Sequence, residues 1–454
     1  MKTCNFLSLL TFLLLSCNGT LALLRSKPKK IVTCYVGSWA TYRPNNGKFG
    51  VSNINPNLCT HIIYAFAGLN STSWTIRSLD PGLDIQDGIG NYKKITNLRQ
   101  KNPRLNILLA IGGWNEGSKN YSMLASSPER RNIFINSVVN FLKKYGFDGL
   151  DLDWEYPGSQ EGMREDKENF ASLVKELKEA FKESNYLLTA ALSSNKEIIN
   201  KGYDIPKISK YLDHMYVMAY DYHGSWDKKV LPNAPLKSED SQDVMDTLNY
   251  LLSKGAPANK LVLGLPMYGR TFMLINKLNS SQESPINQAS ESDGFKGPYT
   301  RTNGFMGYNE ICEELVNKTQ HWITGWDNIS NTPYMINEKY VIMFDNVQSL
   351  EKKIEYAMSL NLSGVMIWSI DTDDFNGKCA SLNNSLDSSD NTYPLLRSIN
   401  MILSNNYEDE NNNNDNNNNN NNKNNNNGKN NSSSTPRFSH RFLLMILVFF
   451  VHYI

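Results

Sequence analysis

Eight apolar, β-rich runs recur along the chain with amphipathic helical segments between them. The runs are Lys30 to Trp39, Thr60 to Gly68, Asn106 to Trp114, Phe147 to Tyr156, Tyr186 to Ser194, Leu212 to Tyr222, Lys260 to Phe272 and Gly364 to Asp371. Strands alternating with helices predict βα units around a parallel sheet, and eight strands are enough to close a (β/α)8 TIM barrel. The helices declare themselves by period. Phe134, Val138, Phe141, Leu142 and Tyr145 recur at helical spacing behind Ser127-Pro128, a cap followed by proline at the first helical position. Phe170, Leu173, Val174, Leu177 and Phe181 repeat the pattern, as do Val244, Leu248, Leu251 and Leu252, and such stripes read as core packing. The rhythm fails between 273 and 339, a Gly- and Asn-rich interval too long for a βα loop. An α+β lobe inserted after strand seven is expected there, walling one side of the face where barrel strands end.

One run violates its own pattern. In Asp148-Gly-Leu-Asp151-Leu-Asp153-Trp-Glu155-Tyr-Pro, carboxylates interrupt residues that otherwise belong to a buried strand. As a strand, Asp151, Asp153 and Glu155 share one face while Leu150, Leu152 and Trp154 share the other. Desolvating like charges together is costly, so chemistry is the reason to keep them. A calcium loop needs small hydrophilic spacers, whereas Leu and Trp interleave here, and metal binding is not expected. Trp39, Phe66, Trp114, Glu155, Tyr220, Asp221, Arg270, Trp368 and Asp371 fall at or near C-terminal ends of different predicted strands, where barrel enzymes assemble their sites. Any one of these aromatics alone reads as core. As a set they form flat platforms suited to stacking sugar rings.

Composition narrows the class. With 46 basic and 45 acidic side chains in 454 residues the net charge is +1, which disfavours nucleic acid as a partner. Lys2, the apolar run Phe6 to Leu15 and the small-residue site Thr20-Leu21-Ala22 read as a secretory signal peptide over residues 1–22. Its removal takes Cys4 and Cys17 and leaves Cys34, Cys59, Cys312 and Cys379, enough for two disulfides with three pairings open. Sequons at Asn70, Asn120, Asn279, Asn317, Asn328, Asn361 and Asn383 agree with passage through the oxidising secretory pathway. The folded part is expected over 28–404. An Asn-rich segment at 405–434 lacks the apolar surface to offset ordering entropy and reads as a disordered stalk. Small residues Asn431 to Ser434, a short spacer with Arg437 and Arg441, and the apolar tail Phe442 to Ile454 give 435–454 the order of a GPI-attachment signal, tethering the protein to the outer membrane leaflet. A retained transmembrane segment is the alternative, although the tail falls short of the roughly 20 residues a spanning helix needs.

Several separated motifs resemble glycoside hydrolase family 18, and within it the animal chitinases. They are Cys34-Tyr-Val-Gly-Ser-Trp39, Tyr64-Ala-Phe66, Ile111-Gly-Gly-Trp-Asn115, Asp148 to Pro157, Met218 to Trp226, Met267 to Phe272 and Trp368 to Gly377. The resemblance implies Glu155 as proton donor, Asp153 facing the substrate's N-acetyl group, Asp151 as its buried partner, Tyr220 holding the acetamido carbonyl, and Asp148 as a structural member of the motif. It further implies substrate contacts from Tyr35, Trp39, Phe66, Trp114, Asn115, Met218, Asp221, Trp226, Tyr268, Arg270, Met366 and Trp368. It pairs Cys34 with Cys59 and Cys312 with Cys379. The implied reaction is retaining hydrolysis of chitin or chito-oligosaccharides, needing no metal or cofactor, with the substrate's acetamido oxygen as nucleophile. A lectin-like chito-oligosaccharide binder and an endo-β-N-acetylglucosaminidase acting on N-glycans are the rival readings. Two positions depart from the family pattern: Glu116 stands where Phe is common, and Thr302 where vertebrate chitinases carry a substrate-contacting Glu. A Cys-rich chitin-binding module is not expected directly after the barrel, where the Asn-rich segment stands.

Overall fold

The structure, a computed structural model, describes residues 30–405 apart from 86, 281–282, 318–320, 380–381 and 383–390. The expected signal peptide, the stalk from 406 onward, the GPI-attachment signal and the Asn383 sequon lie outside the described residues. Eight parallel strands close on themselves: β1 (Ile31–Gly37), β2 (His61–Asn70), β4 (Asn106–Gly112), β5 (Gly149–Asp153), β6 (Leu187–Ser193), β7 (His214–Met218), β8 (Leu261–Pro266) and β14 (Gly364–Trp368). Pairing of β1 with both β14 and β2 completes the (β/α)8 barrel, and a short antiparallel β3 (Thr75–Ser78) extends β2. Each predicted run coincides with one of these strands, and β2 continues past its predicted end at Gly68 to Asn70.

Alternation along each strand sorts side chains into two layers. Odd residues of β5 turn into the barrel, where Asp151 meets Tyr35 of β1. Leu150, Leu152 and Trp154 turn outward into the main core against Phe134, Val138, Phe170 and Val174 of the helices Pro128–Tyr145 and Asp166–Phe181. Both helices were legible from their periodic apolar stripes. Ser127 caps the first, its side chain accepting from the Arg130 amide, with proline in the first turn as expected.

The predicted seventh run is two strands. Barrel strand β8 ends at Pro266, and β9 (Tyr268–Met273) leaves to join an antiparallel sheet with β10 (Phe305–Gly307), β11 (Ile323–Asp327), β12 (Thr332–Asn337) and β13 (Tyr340–Met343). Met267 is the joint: its amide donates to the Trp368 carbonyl at 2.8 Å while its carbonyl accepts from the Tyr308 amide at 2.9 Å. The inserted lobe therefore begins with β9 and ends with β13, wider at both ends than 273–339. A continuous apolar run hides such a joint, because both strands are buried.

Disulfides join Cys34 to Cys59, with Cα atoms 6.1 Å apart, and Cys312 of the lobe to Cys379 beyond β14, at 5.8 Å. These are the pairs implied by the family resemblance. Asn120, Asn279, Asn317, Asn328 and Asn361 are exposed and Asn70 is half-buried. Among the described residues no helix is long and apolar enough to cross a membrane.

Lys353 in the helix Val347–Ser359 and Asp345 just before it form a fully enclosed ion pair, and the Ser349 hydroxyl donates to the same carboxylate oxygen at 2.6 Å. Removing one partner strands a buried charge, whereas removing both does not. Lys353→Met is expected to cost about 3–5 kcal/mol in urea unfolding. The double change with Asp345→Leu should recover most of that loss.

Candidate active site

The cleft lies at the C-terminal ends of the barrel strands and has a volume of about 740 Å³. Its floor is the acid motif. Asp151 is fully buried, accepting from Tyr35 Oη at 2.5 Å and Thr189 Oγ1 at 2.6 Å, so both its oxygens are engaged. Asp153 is 2 % exposed, and its Oδ1 has no hydrogen-bond partner among the described residues. Glu155, two residues past the end of β5, is half-buried and lines the cleft.

Burial dominates the electrostatics. It pushes Asp151 up to about 6, against the hydrogen bonds from Thr189 and Tyr35. It raises Asp153 well above the usual carboxylate range, helped by the negative charges of Glu155 and Asp151. Glu155 is pushed up to about 7, by burial first and by the Asp221 charge, against hydrogen bonds from the Tyr156 side chain and the Trp114 backbone. Three such groups hold at least one proton near neutrality.

Glycines let the neighbouring strand approach this floor. Gly112, at φ +114°, ends β4 where an added Cβ would lie 2.3 Å from the Asp153 carbonyl. Gly113, at φ +83°, donates its amide to that carbonyl at 2.7 Å, and a Cβ on it would strike the Phe66 ring at 2.7 Å. The Ile111-Gly-Gly-Trp-Asn115 motif thus packs backbone against backbone beside the acids.

The walls come from other strand ends. Tyr220 follows β7 and is 7 % exposed, its hydroxyl 3.8 Å from Met366 Sδ, and burial holds it protonated far above neutral pH. Asp221 adopts a left-handed backbone, φ +57°, and accepts from Tyr268 Oη at 2.6 Å and from Arg270 at 2.8 Å and 2.6 Å. The Arg270 guanidinium also lies 4.9 Å from the centre of the exposed Trp226 ring. Opposite, Trp39 stacks on Phe66 at 6.0 Å and Phe66 on Trp368 at 6.0 Å, a continuous aromatic surface.

Of the residues singled out in the sequence, Trp114, Asp153, Glu155, Met218, Tyr220, Asp221, Trp226, Tyr268, Arg270 and Trp368 line the cleft. Others stand elsewhere. Tyr35, 1 % exposed, supports Asp151 from behind, and Met366, 1 % exposed, packs beneath Tyr220, so neither reaches the cleft surface. Trp39 and Phe66 adjoin Trp368 just beyond the lining, and Asn115 is exposed beside Trp114. Asp148 holds the start of β5, accepting from Arg99 and from the Ile107 amide at 2.7 Å. Glu116 faces structure, accepting from the Leu69 amide at 2.8 Å and from Tyr121 Oη at 3.2 Å, and Thr302 is exposed.

Sequence reasoning missed Tyr156, Gln160, Ser193, Ser194, Asn195, Ile198 and Phe305 in the lining. Ser193 and Ser194 could have been found, since they end the fifth predicted barrel run. It also missed Asn233, which fixes the Asp221 turn by accepting from the Asp221 amide through its side chain and from the Tyr222 amide through its carbonyl, both at 3.0 Å.

Residues 31–373 match the family model of glycosyl hydrolases family 18. The chain belongs to that family. This family 18 protein is 46% identical over 392 residues to a probable chitinase 2 of Drosophila melanogaster, spanning 82% of this chain and 80% of that one. The Group IV chitinase of Ostrinia furnacalis in complex with allosamidin matches with a TM-score of 0.77 and 44% identity, over 83% of this chain and 99% of the other. Human YKL-39, a pseudo-chitinase with retained chitooligosaccharide binding, matches at 0.72 and 33% over 83% and 100%.

Because the Asp221 charge raises Glu155, Asp221→Asn should lower the Glu155 pKa. A rate that needs protonated Glu155 falls as pH rises through that pKa. The alkaline limb of the kcat/KM profile is therefore expected to move to lower pH in Asp221→Asn, and an unmoved limb would contradict the coupling.

Proposed function

We propose that this family 18 hydrolase is a chitinase, cleaving β-1,4-linked N-acetylglucosamine with retention through participation of the substrate's acetamido group. The observation that carries this reading is a half-buried Glu155, pushed up to about 7, beside an enclosed Asp153 with one oxygen unpartnered. A buried polar atom without a partner calls for an explanation, and a substrate amide N–H beside it supplies one. Asp151 is already held by Tyr35 and Thr189 and so is a poor nucleophile.

The chemistry follows from these roles. Glu155 gives its proton to the glycosidic oxygen as the C1–O bond breaks, and the leaving sugar departs as an alcohol. The acetamido oxygen bonds to C1, forming an oxazolinium ion whose positive charge opposes the burial that raises Asp153 and favours the carboxylate that stabilises it. The Tyr220 hydroxyl orients the acetamido carbonyl for this attack. Water then attacks C1 from the vacated side, gives a proton to Glu155, and the acetamido oxygen leaves. Two inversions at C1 amount to retention. Trp368 and the Trp39–Phe66 stack supply flat faces for sugar rings on one side, and Trp226 supplies another.

Glu155→Gln is expected to lose about 10²–10⁴-fold in kcat on N-acetylglucosamine oligomers while still binding them. Fully deacetylated oligomers should resist the wild-type protein. Binding of acetylated oligomers without cleavage by the wild-type protein would establish the lectin reading instead, and cleavage confined to N-glycans the endoglycosidase reading.

The proposed location is extracellular, with the catalytic barrel tethered to the outer leaflet, and it rests on the sequence patterns at 1–22 and 435–454. Phosphatidylinositol-specific phospholipase C should release the activity from intact cells. Activity that stays with the membrane would favour a retained spanning tail.

A further inference from the structure

Glu155 sits just past the end of β5, so strand pairing alone does not fix it. What fixes it is the segment Gly113–Ser118. Its first residue donates to the Asp153 carbonyl at 2.7 Å, and the Trp114 backbone acts on the Glu155 carboxyl, opposing the rise that burial causes. Ser118 closes the segment. Its hydroxyl accepts from Trp154 Nε1 at 2.7 Å and donates to the Tyr156 carbonyl at 2.5 Å, gripping the residue on each side of Glu155.

Ser118 is 1 % exposed and lines no part of the cleft, so it touches no substrate. It stands at the N-cap of the helix Lys119–Ala125, where a serine side chain ordinarily accepts from a helix amide. This one makes no such bond. Its hydroxyl is committed to the catalytic loop instead. The other end of that loop is held from the same helix, one turn on: Ser122 Oγ donates to Asp166 at 2.5 Å, and Asp166 accepts from the Gly158 and Met163 amides at 3.0 Å and 2.7 Å. Behind the segment, Glu116 anchors it to the Leu69 amide of β2 and to Tyr121 of the helix.

We infer that Ser118 is a positioning residue for the proton donor, holding Glu155 in place through the Trp154 indole and the Tyr156 carbonyl. This inference rests on the reading of Glu155 as proton donor. Loss of the hydroxyl frees the backbone on the far side of Glu155 and leaves two enclosed polar groups without their partner. Displacement of the carboxyl from the glycosidic oxygen lowers the chemical step while the aromatic walls still bind sugar.

Kinetics of Ser118→Ala and Ser118→Thr on N-acetylglucosamine oligomers test this, alongside the wild type and with thermal unfolding of each. The expected result is a kcat reduced by about 10²-fold in Ser118→Ala with KM little changed, the size a small misplacement of a reacting group produces. The alkaline limb of its pH profile should also move, and Ser118→Thr, which keeps the hydroxyl, should restore both. An unchanged kcat in folded Ser118→Ala, or a loss that only tracks the fraction unfolded and is not rescued by Thr, overturns the inference. A wild-type protein that binds but does not cleave would instead overturn the reading on which it rests.

Discussion

The rest of the site depends on the cost of keeping three carboxyl groups at one place in a barrel interior. Water can solvate three adjacent charges, but a closed strand end cannot, so the group retains protons that ordinary Asp and Glu side chains have lost by neutral pH. The barrel does not remove this cost. It distributes it, limiting the rise of Asp151 to about 6 with two hydroxyl donors while Asp153 goes well above the usual carboxylate range and Glu155 to about 7. A carboxyl that is still protonated near neutrality is what glycosidic bond cleavage requires of its acid.

That electrostatic state needs rigid geometry around it. The backbone of β4 can press against the Asp153 carbonyl only because Gly112 and Gly113 carry no side chain there. Asp221 couples the acid to the far wall: it raises Glu155 and at the same time anchors Tyr268 and Arg270, with Trp226 against the guanidinium. A change in the wall built on Asp221 is thereby felt at the Glu155 carboxyl. The lobe contributes directly to this wall, since Tyr268 and Arg270 belong to β9, and Phe305 of β10 stacks on Tyr268 with ring centres 4.5 Å apart.

Much of this was legible in the chain. Period-two alternation located the strands and placed Asp151 and Asp153 on the inner face, and helical stripes located the outer layer. Chemistry-bearing residues at strand ends were legible because a barrel gathers all its C-terminal ends in one place. The joint at Met267 was not, since two buried strands in sequence look like one. Asn233 and Ser118 were missed because they act by holding backbone atoms of other segments, and a backbone partner leaves no mark in a residue pattern. Tyr35 and Met366 went the other way: the family resemblance implies substrate contacts for both, but packing sets Tyr35 against Asp151 and Met366 against Tyr220.

The central claim is that the Glu155 carboxyl stays protonated up to neutral pH, and infrared difference spectroscopy of the wild-type protein against Glu155→Gln tests it directly. The account predicts a protonated carboxyl C=O band, absent from the variant, that disappears with a midpoint near pH 7. A band lost in the ordinary carboxylate range, around pH 4 to 5 by reference to about 4.3 for an unperturbed Glu, would contradict it.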